Sequence, residues 1–310
     1  MKKNILKRLV CAVLCVLLLL SFSIVGFAAS DGNKAKRIEA VAHRGYSAAA
    51  PENTLAAFKL AGEKGYYGCE FDIHTTKDKV WVINHDDTVD KMTDGKGKIA
   101  DMTYEEISKL KIDNGNNLET YPNEKIPTLE EALAVCAEYS IRPIIEVKGG
   151  EVKDLESLAK ILGSTALPCE YTLISFQWEY LAPLRELLPE ADLWMLANEV
   201  MDTHIEFCKE HNINGISFNF MENTVFSMNK IKKAGLKMIA WTVDYVTPAR
   251  FLCAFGVSAI TTNKILSEDL DMVNLTPEKV VRDALDEIPV ILKDLLKTAK
   301  NYIENLFGKC

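Results

Sequence analysis

The 310-residue sequence lacks the marks of several large protein classes. Its body has no cluster of Lys and Arg long enough to follow a nucleic-acid backbone, and the formal net charge is −8. No strand-like run is followed by the glycine pattern of a dinucleotide or P-loop site, which argues against a doubly wound nucleotide fold. Of the 8 cysteines, those outside the apolar N-terminus form no CxxC pair and are widely scattered. Most of them are predicted to be small core residues.

One long hydrophobic run is present, at the N-terminus. Basic residues among the first eight positions precede the apolar segment 9–29, which ends in small residues around Ala28. This order predicts a signal peptide over residues 1–29, cleaved near Ala28. The alternative is an uncleaved anchor, because the run is just long enough to span a bilayer. In both cases the positive flank stays inside, so we expect the body to be secreted or extracytoplasmic.

From residue 38 to residue 266, short β-branched runs alternate with amphipathic helical runs without a domain break. Alternating strands and helices imply a parallel sheet. About eight such units over this length fit one closed (β/α)8 TIM barrel better than two Rossmann halves. The sequence therefore predicts an α/β protein with a barrel over 38–266.

Two segments depart from the alternation. Residues 88–127 are rich in Asp, Gly, Lys and Asn, contain one helical piece at 103–110, and are predicted to be an insertion after the second strand. Residues 275–310 are predicted to form a C-terminal helical extension, because Thr276 and Pro277 make a good helix start. Its apolar face favours packing on the barrel wall, and a membrane-surface or partner helix is the alternative.

Acidic residues recur with strand parity near the ends of two predicted strands. Glu70 and Asp72 are two positions apart and point to one side of their strand, and Glu146 and Lys148 repeat that spacing. In a barrel these positions lie at the carboxyl ends of neighbouring strands, where active sites form. Three buried carboxylates repel one another, so a hard divalent cation, calcium or magnesium, is predicted among them. The alternative is a set of salt bridges to Lys148 and Arg44.

Two histidines also fall at predicted strand ends. His43 ends the first strand, and His85 ends the return of the hairpin that follows Asp72. Beside a metal, such a pair suggests one group that takes a proton and one that gives it. Arg44 and Lys148 add fixed positive charge that suits phosphate oxygens. The residues alone therefore predict a site for a phosphate ester.

Motifs along residues 38–266 resemble those of the glycerophosphodiester phosphodiesterase family, in the family's order. The motifs are HRG…PENT (43–54), EFD (70–72), TTKD (75–78), HDDT (85–88), DGKGKIADMTYEEI (94–107), IPTLEEAL (126–133), EVK (146–148), SF (175–176) and WTVD (241–244). The resemblance implies a TIM barrel whose insertion at 88–127 matches a family-specific segment. It also implies a single divalent cation.

The resemblance implies a role for each matching residue. The general acid and base would be His43 and His85, the phosphate ligands Arg44 and Lys148, and the metal ligands Glu70, Asp72 and Glu146. Trp241, on the seventh barrel strand, would line the glycerol pocket. Glu52 would orient the metal side of the site or the His43 loop.

The sequence departs from the family pattern at a few positions. Lys79 replaces a usual glycine, which predicts a changed turn. Asp244 stands where Asn is common, and segment 260–263 lacks an aspartate often found on the last strand; both are expected at the pocket rim. His74 is expected to be a rim or structural residue, and His204 a surface residue.

The activity implied is hydrolysis of a glycerophosphodiester to glycerol 3-phosphate and an alcohol. A lysophospholipase D or a glycerol-teichoic-acid hydrolase using the same site is the alternative within enzymes. A non-catalytic cell-surface binding barrel is a remote alternative from another class. The expected partner is a small-molecule substrate near a membrane or cell wall, with no nucleic acid, and the oligomeric state stays open.

Overall fold

The computed structural model describes residues 38–270 except 166, 168 and 169, together with 282, 286, 287, 289, 290 and 293. The predicted signal peptide at 1–29 and most of the predicted extension at 275–310 lie outside the described residues. Within the described part, no helix combines the length and apolar character needed to cross a membrane.

The described residues form a closed barrel of parallel strands. The strands are β1 (Glu39–Ala42), β2 (Gly68–Thr75), β3 (Trp81–Ile83), β4 (Arg142–Val147), β5 (Thr172–Ser175), β6 (Asp192–Ala197), β7 (Gly215–Asn219), β8 (Lys237–Trp241) and β9 (Ala259–Thr262). Their order is β1-β9-β8-β7-β6-β5-β4-β2, and pairing of β1 with β2 closes the ring. β3 lies outside the ring, antiparallel to β2. The predicted TIM barrel is confirmed.

Helices connect the parallel strands. They are α1 (Leu55–Glu63), α2 (Tyr104–Ile107), α3 (Leu129–Tyr139), α4 (Leu155–Ser164), α5 (Trp178–Leu187), α6 (Asp202–Glu210), α7 (Val225–Lys233) and α8 (Val246–Ala254). Threonine side chains start two of the helices next to the site. Thr54 caps α1 by accepting from the Ala57 amide, and Thr128 forms a capping box with Glu131 at α3.

Strand parity divides the apolar residues into two cores. One parity packs under the helices, in a buried cluster that contains Cys69 of β2 and the helical residues Cys136, Cys208 and Cys253, which confirms the prediction that most cysteines are core residues. The other parity fills the barrel interior with Val41, Ile144, Ile174, Trp194, Leu196, Ile239 and Ala259. Continuing each interior series by two residues reaches the carboxyl end of the barrel. Thus Val41 leads to His43, Ile144 to Glu146 and Ile239 to Trp241.

The insertion packs around a small core of its own. Its apolar residues join Val82 of β3 in a separate buried cluster: Val89, Met92, Ile99, Ile107, Ile112 and Ile126. The helical piece expected at 103–110 is shorter and forms α2. Lys79 lies in the turn between β2 and β3 with φ 66°, a left-handed backbone that explains why glycine is usual there.

Candidate active site

The loop after β1 turns sharply back toward β2. Arg44 and Gly45 both have left-handed backbone, with φ 56° and 78°. A Cβ at position 45 would lie 2.6 Å from the Ala57 Cβ, so only glycine fits against α1. The turn places the Arg44 amide 2.9 Å from Glu70 Oε2, to which it donates. The first residues of the loop are thereby fixed against the end of β2.

The three predicted metal ligands converge. Asp72 of β2 and Glu146 of β4 are register partners, and Glu70 lies two residues earlier on β2. One oxygen from each of the three lies within 4.8 Å of the others, and all three side chains are buried. Burial and the neighbouring carboxylates raise the pKa of Glu146 to about 8 and that of Glu70 well above its ordinary value. Burial opposes ionisation of Asp72 too, but Lys148 and Arg44 hold its pKa below the ordinary value.

Both predicted phosphate ligands contact the acids. Lys148 Nζ lies 3.4 Å from Asp72 Oδ1 and 3.6 Å from Glu146 Oε1, and Arg44 Nε lies 3.7 Å from Asp72 Oδ2. The salt bridges considered from sequence are therefore present. They do not satisfy the cluster, because Glu146 Oε1 and Arg44 Nε are buried without a hydrogen-bond partner.

The two histidines have different partners. His43 Nδ1 is 2.8 Å from the carboxamide oxygen of Asn263, while His85 Nδ1 is 2.6 Å from Asp86 Oδ1. Burial, followed by the charge of Arg44, lowers the pKa of His43 to about 4. His43 is thus a neutral imidazole beside a neutral amide, whereas His85 is half-buried beside a carboxylate.

Trp241 lies at the interior parity position of β8, at the same end of the barrel. Its ring meets Phe176 edge-on, with centroids 5.8 Å apart, and both pack on the interior core. Its indole Nε1 is buried without a hydrogen-bond partner. An indole N–H in that state is a donor available to a ligand.

Glu52 contacts the loop after β1 and the insertion. Its Oε1 accepts from Arg44 Nη1 at 2.9 Å and from Lys91 Nζ at 2.8 Å. Because Lys91 belongs to the insertion, Glu52 connects the insertion to Arg44, the predicted phosphate ligand. No described contact joins Glu52 to the three acids, so of the two roles implied for it the geometry supports orientation of the loop.

Sequence reasoning missed four residues that hold site groups in place. Asn53, with φ 58°, donates from Nδ2 to Asp72 Oδ2 at 2.8 Å, and Asp86 accepts from His85. For Asp244 and segment 260–263, which were expected at the pocket rim, the sequence did not predict two contacts: Asn263 contacts His43 directly, and Asp244 holds Asn263. The PENT and HDD motifs contain the first two, whereas the last two contacts join distant parts of the chain.

Two further histidines are structural. His74 is buried, and its Nε2 lies 3.4 Å from the backbone oxygen of His85. His204, expected on the surface, is buried instead: its Nδ1 accepts from the Met201 amide at 2.9 Å, and its ring meets Trp178 edge-on. The sequence prediction for His204 was wrong because an N-terminal helix position and an aromatic neighbour both favoured burying the ring.

Comparison with known proteins agrees with this geometry. A model of the "Glycerophosphoryl diester phosphodiesterase family" matches residues 43–267. The chain is 45% identical over 268 residues to glycerophosphodiester phosphodiesterase 1 of Bos taurus, covering 75% of this chain and 80% of the relative. It is 34% identical over 230 residues to a glycerophosphodiester phosphodiesterase of Caldanaerobacter subterraneus, covering 72% and 93%.

A solved structure shows the same fold. The chain is similar to a phosphodiesterase from Oleispira antarctica in complex with the product sn-glycerol-3-phosphate, with a TM-score of 0.69 and 28% identity. The match covers 80% of this chain and 96% of that one. The chain is therefore a phosphodiesterase that belongs to the glycerophosphoryl diester phosphodiesterase family.

Proposed function

We propose that this enzyme hydrolyses glycerophosphodiesters to glycerol 3-phosphate and an alcohol in a metal-dependent reaction. The observation that carries the proposal is the convergence of Glu70, Asp72 and Glu146 within 4.8 Å, with Arg44 and Lys148 on the same carboxylates. A structural salt-bridge network would not require three buried acids with fewer cations than carboxylates.

The charges of the cluster fit a divalent cation. Ionised Glu70, Asp72 and Glu146 carry one more negative charge than Arg44 and Lys148 can balance. A divalent cation reverses that excess to one positive charge, which a singly charged phosphodiester would neutralise. Calcium and magnesium both bind oxygen ligands. Glu146 Oε1 has no hydrogen-bond partner, so it could bind the ion without losing a hydrogen bond. When bound, such an ion supplies Lewis acidity that lowers the pKa of a bound hydroxyl and neutralises developing charge.

His43 is the general base in this proposal, and His85 is the general acid. A base must be unprotonated at working pH, and burial lowers the pKa of His43 to about 4. The carboxylate of Asp86, 2.6 Å from His85 Nδ1, holds the ring in place so that its Nε2 can give a proton to the leaving alkoxide. His43 would take the proton from the attacking oxygen, which is a substrate hydroxyl or a water. Attack by the substrate hydroxyl through a cyclic phosphate is the route we favour, as the family resemblance suggests.

The remaining residues bind and orient the substrate. Arg44 has an unpaired Nε and Lys148 has no hydrogen bond to its two carboxylate neighbours, so both can turn donors toward phosphate oxygens. Glu52 holds the other end of the Arg44 guanidinium. Trp241 would present its ring and its unpartnered Nε1 to the glycerol end.

The test uses purified protein with calcium or magnesium and glycerophosphocholine. We expect release of glycerol 3-phosphate that EDTA abolishes, and a loss of at least about 100-fold in kcat in His43→Ala and in His85→Ala. His211→Ala is the matched control, because His211 lies at the end of α6 near the amino end of the barrel. A folded protein that releases no glycerol 3-phosphate from any glycerophosphodiester would overturn the proposal.

A lysophospholipase D activity of the same site is the second candidate, favoured by an apolar rim at the site end of the barrel. Phe226, Met201 and Met221 are 80%, 55% and 52% exposed. They lie on or beside the loops after β6 and β7, which Asn223 joins by accepting from the Val200 amide. An acyl chain extending from the diester would cover this rim.

Comparing substrates separates the candidates. Lysophospholipid, glycerophosphocholine and polyglycerolphosphate report on the lipid, water-soluble and cell-wall alternatives. If the rim binds an acyl chain, Phe226→Ser lowers kcat/KM for lysophospholipid but not for glycerophosphocholine, and Leu187→Ser at the opposite barrel end changes neither. Equal effects on both substrates would reject the lipid candidate.

We also propose that the enzyme works outside the cytoplasm, on the basis of the basic and apolar order of residues 1–29. N-terminal sequencing of protein recovered from the medium or envelope tests this. A chain starting just after Ala28 supports cleavage, an intact N-terminus in the membrane fraction supports an anchor, and an intact cytoplasmic chain rejects export.

A further inference from the structure

Asp244 lies just past the end of β8 and accepts three hydrogen bonds from the end of β9. Its Oδ1 accepts from the Asn263 backbone amide at 2.7 Å and from Thr262 Oγ1 at 2.9 Å. Its Oδ2 accepts from Asn263 Nδ2 at 2.7 Å. All three partners are donors, so a carboxylate satisfies them completely.

These bonds determine which way the Asn263 carboxamide faces. With Nδ2 turned to Asp244, Oδ1 is turned to His43 and lies 2.8 Å from its Nδ1. Ser47 Oγ donates to the same oxygen at 3.1 Å. A carboxamide oxygen can only accept, so His43 must carry its proton on Nδ1. The His43 backbone is held as well, since its amide donates to the Thr262 oxygen at 2.8 Å.

A neutral imidazole has one N–H, and the partner of one nitrogen decides which nitrogen is the base. We propose that Asp244 is a positioning residue for His43: by fixing the Asn263 carboxamide it selects the tautomer whose Nε2 is unprotonated. The inference rests on the proposed role of His43 as the base. It extends that role to Asp244, which touches neither the histidine nor any proposed substrate ligand.

The device needs an acid at position 244. An asparagine at position 244 would offer one oxygen in place of two. That oxygen could not accept both from the Asn263 backbone amide with Thr262 Oγ1 and from Asn263 Nδ2. The backbone amide of Asn263 cannot reverse, so the oxygen would stay with that amide and the new NH2 would face Asn263 Nδ2. Two facing donors would make the Asn263 carboxamide flip. Its NH2 would then donate to His43 Nδ1, and the favoured tautomer would carry the proton on Nε2. A protonated Nε2 cannot act as a base.

The experiment compares Asp244→Asn with the double variant Asp244→Asn/Asn263→Asp. In the double variant, a carboxylate at 263 accepts both from the new carboxamide at 244 and from His43 Nδ1–H, so the original tautomer returns. Long-range 1H–15N correlations of the imidazoles report the tautomer directly, and His43→Gln identifies the His43 signals among the 5 histidines. Steady-state kinetics on glycerophosphocholine report kcat and KM.

We expect Asp244→Asn to move the His43 proton to Nε2 and to lower kcat about 100-fold, with KM changed less than about twofold. The double variant should restore the Nδ1–H tautomer and most of kcat. Asp269→Asn is the matched control, because the Asp269 carboxylate accepts from the Leu266 amide in the nearby loop and has no described contact with Asn263 or His43, so the variant should keep both tautomer and rate.

Retention of the Nδ1–H tautomer in Asp244→Asn would overturn the inference, as would a shifted tautomer with an unchanged kcat. A purely structural role predicts something else: both variants lose stability and the second substitution rescues nothing. The tautomer is read without turnover, so an enzyme inactive on glycerophosphodiesters would overturn the proposed function while leaving the effect of Asp244 on the imidazole separately testable.

Discussion

Glu146→Gln should make the metal-free enzyme more stable at alkaline pH while removing its response to metal. In the folded protein the pKa of Glu146 is raised from 4.5 to about 8, chiefly by burial and by Asp72. Between these two values the folded state binds more protons than the unfolded chain, so stability falls as pH rises from 4.5 through 8. At ~1.4 kcal/mol per pKa unit, this carboxyl lowers the unfolding free energy by about 1 kcal/mol at pH 5 and about 4 kcal/mol at pH 8.

The assay is urea unfolding followed by tryptophan fluorescence, in EDTA, at pH 5 and pH 8. Glutamine keeps the shape of Glu146 and cannot ionise. Between pH 5 and pH 8 the unfolding free energy of the wild type should therefore fall by about 3 kcal/mol more than that of the variant. Glu119→Gln, which changes an exposed acid in the insertion, should behave as wild type.

The stabilisation by added metal is measured as well, and it tests whether Glu146 binds the ion. At about 100 times its Kd, calcium or magnesium should stabilise the wild type at pH 8 by about 2.7 kcal/mol. The variant should gain far less, because it lacks one of the three proposed metal ligands. Parallel pH dependence in wild type and Glu146→Gln would refute the argument that a buried charge cluster destabilises the metal-free site.

Three further substitutions test other parts of the site. Gly45→Ala should cost at least about 2 kcal/mol of stability, because its Cβ would lie 2.6 Å from the Ala57 Cβ at φ 78°, and an unchanged melting temperature would contradict this. Thr54→Ala should cost about 1 kcal/mol in urea unfolding through loss of the α1 cap. Lys148→Met should lower kcat/KM for glycerophosphocholine by about 100-fold, since a buried phosphate would lose its cation; full activity would exclude Lys148 from binding it.

The hydrophobic periodicity was sufficient to predict the barrel. Alternating parity placed Glu70 and Asp72 on one side of β2 and Glu146 on the matching side of β4, and the register pairing of Asp72 with Glu146 then brings them together. These predictions succeed because side-chain direction in a strand depends only on position along that strand. The activity was predicted from the family motifs, because periodicity alone does not indicate a substrate.

The sequence did not predict contacts between distant residues. His204 was expected at the surface but is buried against Trp178, and the hydrogen bonds of Asp244 to Asn263 were not foreseen. Neither contact has a local signature. A polar residue is predicted to be exposed only if the interior offers it no partner. In each case here the partner belongs to another strand–helix unit.

The sequence by itself determined the elements, their parity and the set of reactive groups, because each of these follows from residues close together along the chain. Only the tertiary structure decided which partner each histidine received. His43 meets Asn263 across 220 residues, while His85 meets Asp86 next to it. The pairing of β1 with β9 brings the first contact about. Burial in the closed barrel lowers the pKa of His43 to about 4, which makes His43 the proposed base.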